Sequence, residues 1–132
     1  MIVVDTSAIV SIIRQEEDAL ALADVIDEQD RALMSAVSFV ETSMVVNGRR
    51  LDVNLANIED ILAAMSIEIV PLSVDDGKAA VSGFMRFGKG RHRARLNFAD
   101  CFSYGLAKSR NLPLLFKGDD FLHTDLVPAW RP

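Results

Sequence analysis

The sequence predicts an α/β protein built on a mostly parallel sheet of four to five strands. Short apolar runs recur along the chain, the first of them continuous, as in a strand buried on both faces. Each is followed by a segment with helical spacing, and capping residues stand at the joins. The length of 132 residues suits one domain over 1–132, since two would leave each half near the lower limit for an independent core.

Taken in order, Ile2-Val3-Val4 is a buried strand, and Asp5-Thr6-Ser7 offers caps for a helix through Ala8–Ile13. Residues 17–29 place Leu20, Leu22, Ala23 and Ile26 at helical spacing, and Ala32–Ser35 is a second strand. Ser38 can cap a helix through Val46 that stops at Asn47-Gly48. A helix from about Asn54 to Met65 carries Leu55, Ile58, Ile61 and Leu62 on one face. Ile67–Leu72 is a β-branched run that ends at a proline, a third strand. Ser73–Phe87 is helical, with Asp75 and Asp76 in its first turn, where the dipole favours acids. Asn97 can cap a helix to about Ser109, Pro113–Phe116 is a fourth strand, and Leu126–Ala129 is a short fifth.

Composition excludes several classes. Half of the residues are hydrophobic and 25% are charged, which argues against disorder. No apolar run approaches the roughly 20 residues needed to span a bilayer, so no membrane association is expected. The start lacks a basic stretch and meets an acid at position 5, unlike a secretory signal. The single cysteine, Cys101, has no internal disulfide partner, in keeping with the cytoplasm.

A formal charge of −5 counts against a nucleic-acid partner, but the charges are unevenly placed. Arg86, Lys89, Arg91, Arg93 and Arg95 fall within ten residues that contain no acid. Without those five, 9 cations face 19 acids, a formal −10 over the rest of the chain. With Gly88 and Gly90 in it, the stretch reads as a mobile basic loop.

In parallel sheets ligands bind outside the carboxyl ends of the strands, where the strand order reverses. Asp5 stands at such an end, either as a helix cap or as a ligand. Glu41 is less expected, because Val37, Val40, Met44 and Val45 lie on its side of the helix and make an apolar stripe around it. Asp100 shares its side with Asn97, Ser103, Tyr104 and Ala107, as on a solvated face. Asp119 and Asp120 follow the fourth strand, as turn residues or as a fourth acid. Carboxylates that converge repel one another, and hard divalent cations relieve the repulsion, which favours Mg²⁺ or Mn²⁺. One or two ions held this way would suit phosphodiester hydrolysis, with the basic loop on the substrate backbone. No P-loop, nucleophile elbow, paired-aspartate phosphotransfer motif or Ser-His-Asp arrangement is present.

The opening M-I-V-V-D-T-S-A-I, S-F-V-E-T at 38–42, G-R-H-R-A-R-L-N-F-A-D-C-F at 90–102 and L-P-L-L-F-K-G-D-D-F-L-H-T-D at 112–125 resemble the PIN-domain nucleases, most closely the VapC toxins of bacterial toxin–antitoxin pairs. The resemblance implies a three-layer α/β/α PIN fold and Mg²⁺- or Mn²⁺-dependent endoribonuclease activity. It also implies a homodimer and inhibition by a small VapB-like antitoxin. Asp5, Glu41 and Asp100 carry over as acidic ligands. Asp119 is favoured as the fourth acid, with Asp120 as the alternative one residue on, and Ser7 is expected to bond a ligating carboxylate or a water. On this basis Asp5 and Asp100 hold the metal most directly, Glu41 and Asp119 complete the shell, and Lys89, Arg91, Arg93 and Arg95 contact RNA phosphates. The rivals are a catalytically silent PIN-like binding module and a receiver-like signalling domain with Asp5 as phosphoacceptor.

Overall fold

A computed structural model describes residues 1–48 and 55–132. The elements are β1 (Ile2–Val4), α1 (Thr6–Ile13), α2 (Ala19–Asp27), β2 (Ala32–Ser35), α3 (Ala36–Gly48), α4 (Leu55–Ala64), β3 (Ile67–Val70), α5 (Val74–Phe87), α6 (Phe98–Arg110) and β4 (Leu114–Leu115), followed by a 3-10 turn at Asp120–His123. The four strands are all parallel in the order β3-β2-β1-β4. The chain therefore builds outward from β1 through β2 to β3, then returns to place β4 on the other edge of β1. The reversal lies between β1 and β4, and a cleft at their carboxyl ends is the expected ligand site.

The alternation of side chains along β1 divides the core. Ile2 and Val4 point to one face, packed with Ala8 and Ile9 of α1, Leu22 and Ile26 of α2, and Ile58 and Leu62 of α4. Val3 points to the other, with Leu33, Leu114, Ala80 and Phe87 of α5, and Tyr104, Leu106 and Ala107 of α6. The result is an α/β/α sandwich. Each fully buried Leu or Ile here is worth roughly 1.5–3 kcal/mol over an exposed one. Among the described residues no helix is long and apolar enough to cross a membrane.

Capping sets several boundaries. Ser73 and Asp76 form a reciprocal capping box on α5, and Asn97 and Asp100 form another on α6. The cap expected at Ser38 is displaced: α3 begins at Ala36, where Ser35 Oγ accepts from Val37 N at 3.2 Å, leaving Ser38 in the helix interior. The expected helix start near Asn54 lies outside the described residues. The third strand is shorter than expected, since Pro71 ends it. Leu126–Ala129 adds no full strand; Pro128 makes one isolated parallel bridge with Leu114, and a proline cannot donate to a longer ladder.

The basic stretch has a defined closed form. Gly88 and Leu96 bridge its base, with Lys89 N bonded to Leu96 O at 2.9 Å and Leu96 N to Phe87 O at 3.0 Å. Inside it, Ala94 is buried, His92 packs edge-on against Phe87 at 5.1 Å, and His92 Nδ1 accepts from Ala94 N. Of the aromatic cluster before it, Phe87 enters the core while Phe84 and Met85 stay exposed.

Helices α5 and α6 approach closely through two glycines. A Cβ on Gly83 would lie 2.4 Å from the Tyr104 ring, and one on Gly105 would lie 2.7 Å from the Asp76 carbonyl oxygen. Ser109 Oγ also donates to Asp76 Oδ1 at 2.5 Å across the pair. Gly105→Ala is expected to lower stability by about 1–3 kcal/mol in urea denaturation, because backbone rather than a flexible side chain must give way. Gly77→Ala, with nothing within 4 Å among the described residues, is the control and is expected to stabilise slightly.

Candidate active site

Asp5 is the residue on which the site is built. It ends β1, caps α1 and is buried. Its Oδ2 accepts from Ser7 N at 3.0 Å and Ser7 Oγ at 2.6 Å, and its Oδ1 accepts from Ser103 Oγ of α6 at 2.5 Å. Ser103 spends its proton on Asp5, so Ser38 Oγ, 3.0 Å away, donates to Ser103 in turn. Ser7 Oγ accepts from Lys117 N, the first residue beyond Phe116 at the exit of β4. A network of neutral hydroxyls thus orients the carboxylate without neutralising it.

Helix α3 brings Glu41 to the same place by an unexpected route. Its buried face is made of Ser38, Thr42, Ser43 and Val46. Thr42 Oγ1 donates to Ser38 O at 2.8 Å and approaches Thr6 Oγ1 at 3.2 Å, while Thr6 Oγ1 donates to Ser38 O at 3.0 Å. These small hydroxyl residues let α3 sit tightly on α1. The apolar stripe predicted around Glu41 is therefore not core: Val40 is 51% exposed and Met44 69%. Glu41 itself is half-buried at the edge of that contact.

Asp100, in the first turn of α6, is half-buried, and its Oδ2 accepts from Asn97 N at 2.9 Å. Its side of the helix is not a solvated face, since Ser103, Tyr104 and Ala107 are all buried. Asp5, Glu41 and Asp100 line one cleft of about 290 Å³, with Thr6, Ser7, Ser11, Arg14, Glu16 and Lys117 among the other walls.

The electrostatics follow from that enclosure. Burial pushes the Asp100 carboxyl up to about 7, outweighing the backbone bond from Asn97, and the charges of Asp5, Glu41 and Asp120 push the same way. Glu41 is raised as well, by burial first and by Asp5, partly offset by the Thr6 hydroxyl. Of the two candidate fourth acids, Asp120 is the one whose charge reaches Asp100. Asp119 is exposed at the start of the 3-10 turn and makes no side-chain cap bond. Neither lines the cleft.

Among the described residues no three acids, histidines or cysteines are already drawn to metal-binding spacing. The donor set nevertheless fits a hard divalent cation: three carboxylates share one cleft and repel one another. A larger apolar groove of about 1070 Å³ between α5 and α6, lined by Leu72, Val74, Phe84, Phe98 and Phe102, has no acid in its walls among the described residues. It is not where hydrolytic chemistry lies.

Lys89, Arg91, Arg93 and Arg95 are exposed and make no ion pairs among the described residues; Arg91 lies over the Phe84 ring at 5.2 Å. Arg86 differs, being bonded to Asp125 at 3.2 Å together with Lys108 at 3.0 Å and Tyr104 OH at 2.8 Å. Sequence reasoning missed Ser103 and Thr6. The available signal was a polar residue one helical turn after Asp100, and a second hydroxyl beside Ser7.

An acid-lined cleft at the switch point of a parallel α/β/α sandwich is the arrangement of the PIN domain, whose family model matches residues 2–126: the chain belongs to the PIN-domain family, and within it to the VapC ribonucleases. Ribonuclease VapC30 of Mycobacterium tuberculosis is 40% identical over 130 residues, covering 98% of this chain and 99% of that one. The fold is also that of Mycobacterium tuberculosis VapC20, described as a sarcin-ricin loop cleaving toxin, with a TM-score of 0.76 at 17% identity over the whole of both chains. A chain in a toxin–antitoxin complex from Klebsiella pneumoniae matches with a TM-score of 0.72 at 13% identity, again over all of both.

The raised Asp100 sets a pH dependence for the metal-free protein. A carboxyl raised in the fold binds more protons folded than unfolded, so its stabilising contribution is full below its ordinary value of 3.8 and is lost as pH rises through about 7. Chemical denaturation in EDTA should show stability falling across that window, and Asp100→Asn should flatten the fall.

Proposed function

We propose that the protein is the toxin of a type II toxin–antitoxin pair: an Mg²⁺- or Mn²⁺-dependent endoribonuclease that hydrolyses RNA phosphodiester bonds. The observation that carries this reading is the convergence of Asp5, Glu41 and Asp100 in one cleft where burial and mutual repulsion raise Asp100. Asp5 and Asp100 are the residues that would hold the cation, with Glu41 completing the set and orienting water. Asp120 is the better-placed fourth acid by its charge on Asp100, while Asp119 remains the choice that the resemblance favours. A bound divalent cation supplies Lewis acidity toward a phosphoryl oxygen and offsets the charge that builds there. Ser7 and Ser103 keep Asp5 from rotating. The exposed cations Lys89, Arg91, Arg93 and Arg95 grip the RNA backbone just ahead of Asp100.

The same reading includes a VapB-like antitoxin that inhibits the enzyme, a homodimer and a cytoplasmic setting. Likeness to a chain of a toxin–antitoxin complex supports the first, and the buried free thiol of Cys101 suits a reducing compartment. A short reading frame beside the gene, whose product copurifies with the chain and suppresses cleavage, is the expected partner; its addition without effect on cleavage would contradict inhibition.

Asp5→Asn is expected to reduce cleavage of a structured RNA by at least about 100-fold while the chain stays folded by circular dichroism. EDTA should abolish wild-type cleavage, and Mg²⁺ or Mn²⁺ should restore it. Undiminished activity in either arm would overturn the reading. Ser103→Ala, which frees Asp5 Oδ1, should weaken Mn²⁺ binding by about 10- to 100-fold in calorimetry.

A further inference from the structure

One group in the cleft wall is not used by the reading above. Glu16 lies in the connection from α1 to α2 and bridges two cations with its two oxygens: Oε1 meets Arg14 Nη1 at 3.2 Å and Oε2 meets Lys117 Nζ at 2.8 Å. Asp18 lies farther from Lys117, at 3.6 Å. Arg14, Glu16 and Lys117 all line the cleft that holds Asp5, Glu41 and Asp100. The cations stand on fixed backbone. Arg14 N bonds to Val10 O at 2.9 Å as the C-cap of α1, and Lys117 N is held by Ser7 Oγ at 3.0 Å.

Glu16 follows a turn at Gln15, whose φ is 53°, and its own N bonds to Ser11 O at 3.0 Å, so its displacement is a swing of the side chain alone. Beside it, Ser11 Oγ is buried in the same wall and has no well-formed hydrogen bond among the described residues, though its hydroxyl lies close enough to help Lys117 and Arg14 lower the Glu16 carboxyl. A buried hydroxyl left unbonded is costly unless something completes it. An arginine, a lysine and a hydroxyl around one two-oxygen anion also make a phosphate-binding set.

We propose that Arg14 and Lys117 form a phosphate subsite in the wall of the acidic cleft, which Glu16 fills in the free protein and an RNA phosphate next to the scissile one occupies in the complex. The proposal rests on the ribonuclease reading and deepens it by naming where the neighbouring backbone is held. The Glu16 carboxylate is a placeholder: it keeps two cations paired beside three acids, and it gives way to a substrate anion of the same form. An RNA thus replaces one ion-pair set by another, instead of desolvating bare cations.

The test scores binding without turnover. A short end-labelled RNA is titrated with the full chain in EDTA, followed by fluorescence anisotropy. Glu16→Gln is expected to bind about fivefold more tightly, and Lys117→Met and Arg14→Met about fivefold more weakly, the scale of a partly exposed ion pair. Each lost cation should also reduce the slope of log affinity against log salt by about 0.7. A folded Glu16→Gln that binds no tighter overturns the proposal, as does a Lys117→Met with an unchanged slope. Should Glu16→Gln fail to fold, the Lys117→Met slope decides alone. A wild-type chain that cuts no RNA with Mg²⁺ or Mn²⁺ but follows this order of affinities retains the subsite and removes the nuclease reading. Cleavage with flat affinities does the reverse.

Discussion

The carboxylate of Asp5 is the point through which the two halves of the sandwich are joined. It ends the strand at the centre of the sheet, caps the helix on one face and accepts a proton donor from the helix on the other. Through Ser7 it also fixes the first residue beyond the neighbouring strand's exit. A cap bond and buried hydrogen bonds to a charged group each contribute about 1–3 kcal/mol. The same contacts that stabilise the fold therefore aim the carboxylate into the cleft. Structure and site do not compete here for Asp5, because its fold role leaves its cleft side available.

That economy explains which parts were legible in the sequence. An Asp directly after an apolar run, with two hydroxyl residues behind it, predicts both a strand end and a cap. The capping boxes at Ser73 and Asn97 follow from local chemistry alone, whereas the third strand reads two residues too long because its apolar run continues past Val70. Glu41 was conspicuous for its apolar neighbours, yet Val40 and Met44 are exposed. Apolar periodicity cannot reveal that α3 buries hydroxyls instead, because Ser and Thr become good packing residues only when bonded to a specific neighbour. Ser103 was hidden for the same reason. Its partner lies 98 residues away, and only the fold brings the two together.

Charge was legible in its placement and misleading in its sum. The formal −5 mixes acids gathered in a cleft with cations gathered in one closed loop. With a screening length of about 8 Å, a polyanion responds to local charge more than to the sum. The fold then refines the basic stretch by giving its members different work. Arg86 is bonded to Asp125 with Lys108 and Tyr104, pinning the C-terminal segment onto α5 and α6, and that pairing lowers Asp125 against the effect of its burial. Lys89, Arg93 and Arg95 are left exposed and unpaired among the described residues. One run of cations in the sequence is thus two functions in space.

Repulsion inside the cleft is the remaining term, and it bears directly on the proposed chemistry. Three carboxylates could each have been paired with a cation, and cations are nearby, but Lys117 and Arg14 face Glu16. The acids are held by hydroxyls and backbone amides, which orient a carboxylate without cancelling its charge. The consequence is an Asp100 carboxyl pushed up to about 7, so that ionising it in the fold costs more than ionising it in water. A site arranged only for stability would have placed Lys117 on Asp5 or Asp100. Keeping the cations on Glu16 leaves the charge of the three acids uncompensated, which is what the proposed cation site requires, and under the proposed subsite it holds Arg14 and Lys117 in place for a phosphate.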